Sequence, residues 1–301
     1  MSIQIVRAHL ANHPAPEALD ARRDQYDKAE RFFKVPPDVT VEPVQVEEMA
    51  AEWLRPAGAR ADVTVLYLHG GGYAIGSPKS HRHLAAAIAK AAGARALLID
   101  YRRAPEQPFP AAVDDAVASY RWLLATGQAA ERIVVAGDSA GGGLTVATLL
   151  ALRDAGATLP AAGVCISPWV DLTCGGGTYQ TKAASDPIVT REGVARMASW
   201  YLAGADPRTP LASPLYADLH GLPPLLIHVG SDEVLLDDAR QLAARARAAG
   251  VEVTLDVWPE MIHVWHWFLG MLGEAQRAVD RIGEFIRSTT SFMTAPTRGS
   301  A

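Results

Sequence analysis

The sequence predicts an α/β protein: a mostly parallel sheet of about eight strands, with helices on both faces and a small helical cap. Three observations predict it. Short apolar, often β-branched runs of strand length recur along the chain, and they are apolar on both faces. Ala- and Leu-rich helical stretches separate most of them, and that alternation builds parallel sheets. The chain has 301 residues, 49% hydrophobic and 20% charged, enough for one large core.

The elements follow in order. Residues 1–40 mix charges such as Arg22, Arg23, Asp24 and Lys28 with scattered apolar positions. They predict one or two amphipathic helices ending before Pro36-Pro37, forming a surface arm or part of a cap. Val41–Val46 and Ala51–Arg55 alternate as strands of an edge hairpin. Val63–Leu68 is a buried strand running into His69-Gly70-Gly71-Gly72, and a helix follows from His81 to Ala92. Ala96–Tyr101 is a strand, Arg102–Pro110 a proline-punctuated loop, and Ala111–Thr126 a helix with Asp114 and Asp115 capping or anchoring it. Ile133–Ala136, Gly163–Ser167, Leu225–Gly230 and Val251–Val257 are the remaining strands. Helices are expected after the first of these, from about Leu235 to Ala249, and at the end to near Arg287.

The stretch from Leu172 to Leu215 breaks this rhythm, with the run Gly175-Gly176-Gly177, several prolines and a helix around Glu192–Leu202. It is too long for a bare connector. The expected organisation is therefore an arm over 1–40, a core over 41–171 and 216–288, a cap insertion over 172–215, and an unstructured tail over 289–301.

Composition narrows the function. Lys+Arg 28 against Asp+Glu 33 gives a net charge of -5, and no basic run points to nucleic acid. No apolar run reaches about 18 residues, so no membrane span is expected. The first residues lack the pattern of a secretory leader. Two cysteines, Cys165 and Cys174, give no disulfide framework, and a cytoplasmic setting is expected. No metal-ligand spacing occurs, and neither metal nor organic cofactor is expected.

The chemistry concentrates at Gly137-Asp138-Ser139-Ala140-Gly141, between the strand from Ile133 and an apolar helix. A strand that turns sharply into a helix with Ser at the apex is a nucleophile elbow. Glycine on each side lets strand and helix approach. Ser139 is too weak a nucleophile unless a base takes its proton. Asp232 and His263 follow the last two strands, at the carboxyl edge where open α/β sheets place their sites. His263 is the candidate base, with His266 as rival. Asp232 is the candidate acid, its alternative role being a helix cap. Asp237 and Asp238, inside the following helix, are expected to face solvent or the arm. His81 and His83 are expected to be solvated at a helix start. Tyr73, Trp200 and Tyr201 are candidate pocket residues, with core packing as the alternative.

These motifs together resemble the hormone-sensitive-lipase family of bacterial carboxylesterases, in the GDSAG subgroup, on the α/β-hydrolase fold. The resemblance covers most of residues 63–270. It is carried by His69–Gly72, Asp100-Tyr101-Arg102, Ala104-Pro105-Glu106, Phe109–Asp115, Gly137–Gly142, Ser167-Pro168-Trp169 and Ser213-Pro214-Leu215. Ser, Asp, His is that fold's chain order. The resemblance implies a Ser139-His263-Asp232 triad and an oxyanion hole from the amides of Gly71, Gly72 and Ala140, with His69 orienting the loop. It implies hydrolysis of small hydrophobic esters with short to medium acyl chains. Lactones, acetylated small molecules or amides are alternative substrates on the same site, and a non-catalytic binding protein is the remote alternative. It also implies a homodimer through the last strand and helix. Arg103 and Gln107 depart from the family's Leu and His, and Glu233 stands where the acid motif has proline.

Overall fold

The computed structural model describes residues 2–13 and 15–291. Eight strands form one sheet: β1 (Val39–Val46), β2 (Met49–Pro56), β3 (Arg60–Leu68), β4 (Ala94–Ile99), β5 (Ile133–Asp138), β6 (Ala162–Ile166), β7 (Leu225–Gly230) and β8 (Val253–Trp258). Their spatial order is β1-β2-β4-β3-β5-β6-β7-β8. β2 runs antiparallel to both β1 and β4, and the other pairs are parallel.

Alternate residues of the central strands enter different helical layers, as the two-residue period of a strand requires. Leu66, Leu68, Val135 and Ile227 pack with α4 (Ala111–Ala125), α5 (Ala140–Asp154) and α8 (Leu236–Ala248). Val65, Tyr67, Val134 and Leu226 pack with α3 (Pro78–Ala92) and α9 (Gly273–Thr290). The long helix α3 begins at a Ser77/Ser80 capping box with Pro78 in its first turn, and stops at Gly93, which takes the left-handed φ of 61°.

The N-terminal segment forms α1 (Ile3–Asn12) and α2 (Leu19–Asp27). Ile3 and Val6 of α1 are buried in a cluster with Met261, Ile262 and Trp265. The insertion carries the short α6 (Thr178–Thr181) and α7 (Arg191–Leu202), whose Met197 and Tyr201 join the main core. α9 continues to Thr290, past the expected tail boundary at 289. The remainder of the expected tail, 292–301, lies outside the described residues.

The register positions the site. Leu68 pairs with Gly137, Asp138 with Ile166, and Gly230 with Trp258. The loops leaving β3, β5, β6, β7 and β8 therefore emerge along one edge. Among the described residues, no helix is long and apolar enough to cross a membrane, and no cluster of His, Cys, Asp or Glu could hold a metal ion.

Candidate active site

Ser139 sits where β5 turns into α5, with φ 55° and ψ −118°. That conformation is costly for a residue with a side chain and persists only where its surroundings enforce it. Here the neighbours leave no slack. A Cβ on Gly137 would lie 2.3 Å from the carbonyl oxygen of Gly141, and one on Gly141 would lie 2.0 Å from that of Leu68. The Ser139 amide donates to Ile166 O at 2.8 Å, and the Trp169 amide donates to Ser139 O at 2.9 Å. Ser139 is half-buried between the fully covered Asp138 and Ala140, at the positive end of α5.

The carboxylate that reaches His263 is Glu233. His263 Nδ1 lies 2.9 Å from Glu233 Oε2, and the Glu233 side chain is fully buried. Glu233 Oε1 accepts the Ser167 hydroxyl at 2.9 Å and the Gly230 amide. Ser167 Oγ also accepts the Val264 amide at 3.2 Å, so one hydroxyl ties the loop after β6 to both the acid and the histidine segment.

This corrects the expectation for Asp232. Its carboxylate turns away, to Arg7 Nη2 at 2.7 Å and Lys182 Nζ at 3.3 Å. The turn itself explains the choice. Gly230 lies so close to the histidine segment that a Cβ there would be 2.2 Å from Met261 O, and the buried Asp186 carboxylate accepts the Val234 amide at 2.9 Å. Residue 233 thereby faces inward and residue 232 outward.

The rivals are placed elsewhere. His266 is buried with Nε2 3.2 Å from His228 Nδ1. Asp237 accepts the Thr178 amide at 3.0 Å. Asp238 is fully buried rather than solvated, accepting the amides of Val170 and Asp171 at 3.1 and 3.0 Å. Burial, with Asp171 nearby, pushes its carboxyl well above the usual range, although the two amides oppose the shift. For His263, burial alone would lower the pKa. The Glu233 carboxylate against Nδ1 outweighs burial, with Asp186 and Asp138 adding to it, and the pKa lies above 6.5.

In the loop after β3, Gly71 and Gly72 take φ of 114° and 59°. Their amides meet no acceptor among the described residues. A Cβ on Gly71 would lie 2.2 Å from Ile75 O, and one on Gly72 2.0 Å from Met197 Sδ. The loop is anchored by Asp138, inside the elbow motif, which accepts the Gly70 amide at 3.1 Å and the Tyr67 hydroxyl at 2.8 Å and lies 3.3 Å from His81 Nε2. Burial would raise the Asp138 pKa, but these neighbours hold it below the ordinary value, so the group is anionic.

His69 stacks on Tyr101 at 4.1 Å, and its carbonyl accepts the Tyr101 hydroxyl at 2.7 Å. Burial pushes its pKa down to about 3, so it is a neutral spacer. His81 and His83 are buried, not solvated as expected, because the N-terminal segment and the last loop cover them. His83 stacks on Phe33 at 4.8 Å, and Trp267 meets His81 edge-on at 4.9 Å. Asp115 anchors the preceding loop by binding the Arg102 amide and guanidinium, at 2.8 and 2.7 Å.

Of the expected pocket residues, Tyr73 and Tyr201 are brought together. Their rings stack at 3.8 Å, both buried, and neither hydroxyl has a hydrogen-bond partner among the described residues. Phe109 meets Tyr201 edge-on at 5.7 Å. Trp200 is half-buried at the margin of the main core, with no ring contact to this pair.

A strained serine at a strand–helix turn, a buried acid–histidine pair and a glycine loop with free amides define a hydrolase of the α/β class. The family model described as alpha/beta hydrolase fold matches residues 65–267, and the chain belongs to that family. Among curated proteins it is similar to the "Acetyl-hydrolase" of Streptomyces hygroscopicus, 55% identical over 283 residues that cover 92% of this chain and 93% of that one. Among solved structures it is similar to "an esterase from the bacterial hormone-sensitive lipase (HSL) family", with TM-score 0.94, 50% identity, and coverage of 96% of this chain and 98% of the other. It is also similar to EstE5, "soaked by p-nitrophenyl butyrate", with TM-score 0.93, 49% identity and the same coverage.

Proposed function

We propose that the protein is a serine carboxylesterase for small esters with short acyl groups, acting through an acyl-enzyme on Ser139. The observation that carries this reading is the buried Glu233–His263 pair, linked through Ser167 and the loop after β6 to the strained elbow. His263, held by Glu233 with its proton on Nδ1, takes the Ser139 proton at Nε2 as Oγ attacks the ester carbonyl. The carbonyl oxygen becomes an oxyanion and accepts the amides of Gly71, Gly72 and Ala140, which are fixed before the reaction begins. His263 then gives its proton to the departing alkoxide. Water, activated in the same way, releases the acid from Ser139.

The short-acyl preference rests on the wall beside the oxyanion loop. There Met197 of α7 presses on Gly72. The name of the acetyl-hydrolase relative favours acetyl esters, acetylated small molecules included, and the butyrate-soaked neighbour is in keeping with chains of that size. Hydrolysis of p-nitrophenyl acetate, butyrate, hexanoate and octanoate tests this. The reading predicts kcat/KM highest at two to four carbons, and a maximum at eight carbons would refute the acyl limit. The exposed edge of β8, where Val257 is 36% accessible, supports a homodimer through that strand, which light scattering of the purified protein checks. The two free, buried cysteines suit a reducing cytoplasm.

A further inference from the structure

Three chain segments have to keep register for His263 and Glu233 to meet: the turn after β7, the loop after β8, and the insertion between β6 and β7. A single side chain from the opposite end of the sequence touches all three. Arg7, on α1, donates through Nη2 to Asp232 Oδ2 at 2.7 Å and to the carbonyl of Glu260 at 2.8 Å, and through Nη1 to the carbonyl of Ser185. Asp232 immediately precedes the acid, Glu260 lies three residues before the histidine, and Ser185 precedes Asp186, which holds the Val234 amide.

The surrounding contacts concentrate on the same point. Lys182 and Arg7 take the two oxygens of Asp232, and Ser185 Oγ donates to the Asp232 carbonyl at 3.3 Å. The Asp232 amide donates to Met261 O at 3.1 Å, and the Glu260 amide to Ser231 Oγ at 2.8 Å. Ile3 and Val6 seat the helix by burying themselves against Met261, Ile262 and Trp265. Arg7 is itself largely covered, at 17% side-chain exposure, so its bonds are only partly screened.

We propose that Arg7, with Asp232 as its anion, is a positioning residue that sets the distance between Glu233 and His263, so that the N-terminal helix is part of the catalytic apparatus. The proposal rests on the esterase reading above. Arg7 touches no reacting group and acts through the two loops it joins. Guanidinium is suited to the task, because its fixed fork serves two carbonyls and a carboxylate at once, which a lysine ammonium on a flexible stem cannot do with the same geometry.

The test compares Arg7→Ala, Arg7→Lys, Asp232→Asn and the double variant R7A/D232N on p-nitrophenyl acetate, alongside Ser139→Ala. R7A is expected to lower kcat by roughly 10- to 100-fold, the scale of an ångström-sized misplacement. KM should stay within about threefold, since nothing at the pocket wall changes. The acid limb of kcat/KM should move to lower pH, because a histidine that loses its close carboxylate becomes less basic. R7K should recover part of kcat, and the double variant should be no worse than R7A. Should R7A fail to fold by circular dichroism, R7K and D232N carry the same comparison. Wild-type kcat and an unmoved acid limb in all the folded variants would overturn the proposal, even with lowered thermal stability, because Arg7 would then serve the fold alone. Full activity in S139A would instead refute the esterase reading and is distinguishable from either result.

Discussion

Replacing Glu233 by Gln keeps the volume and most of the shape of a fully buried side chain, while removing the charge that faces His263. Glu233 has three donors around it: the Gly230 amide and Ser167 hydroxyl on Oε1, and His263 Nδ1 on Oε2. The amide oxygen of Gln satisfies the first two only by turning its NH2 toward Nδ1. That arrangement stabilises the His263 tautomer with its proton on Nε2, which cannot accept the proton of Ser139. The equivalent acid-to-amide change in serine proteases costs about 10⁴ in kcat, or about 5.5 kcal/mol of transition-state stabilisation. E233Q is therefore expected to lose about 10⁴ in kcat on p-nitrophenyl acetate, with KM within a few-fold. D232N, which alters the contacts to Arg7, Lys182 and Ser231, is expected to lose no more than roughly 100-fold. Steady-state kinetics of both variants, with circular dichroism to verify folding, decides between the neighbouring carboxylates. A 10⁴-fold loss in D232N beside near-normal turnover in E233Q would refute the assignment.

Three further outcomes follow from the same geometry. Because Glu233 holds the His263 pKa above 6.5, kcat/KM should rise with pH through an apparent pKa above that value, and an acid limb centred well below 6.5 would contradict the pairing. Asp238 has a folded-state pKa above its unfolded one, so its contribution to stability is full below the unfolded pKa and is lost as pH rises through the folded pKa. D238N should flatten that part of the stability–pH curve and leave urea stability at pH 7 unchanged or higher; a loss of several kcal/mol at pH 7 would show that the charged form is needed. Met197→Ala should raise hexanoate hydrolysis relative to acetate by about tenfold or more, read from the ratio of kcat/KM values, and an unchanged ratio would remove α7 from the acyl wall.

The alternation of apolar runs and helices made the sheet legible from sequence, since each strand of a parallel sheet must be apolar on both faces. The elbow was legible because its glycines answer a local steric demand at Gly137 and Gly141. The carboxylate that meets His263 was legible only to within one residue. Asp232 and Glu233 are chemically alike and adjacent, and what separates them comes from Gly230 pressed on Met261, from Asp186, and from Arg7, 225 residues away. The one sign in the sequence was a second carboxylate where the family pattern has proline. His81 and His83 read as solvated because their own helix start is polar. Phe33 and Trp267, which bury them, lie far away in the chain. The hydroxyl of Ser167 was visible as part of a motif, but its task depends on two loops that arrive later in the chain.

The acyl group proposed to rest on Ser139 during turnover can be observed directly. The protein is mixed with p-nitrophenyl acetate, quenched in acid within the first turnover, digested, and analysed by mass spectrometry, with wild type and S139A in parallel. Acetylation is expected on the peptide carrying Gly137–Gly141, assigned to Ser139, together with hydrolysis that is lost by roughly 10⁴-fold or more in S139A. Acetyl groups only elsewhere, or hydrolysis that survives in S139A, would contradict that proposal.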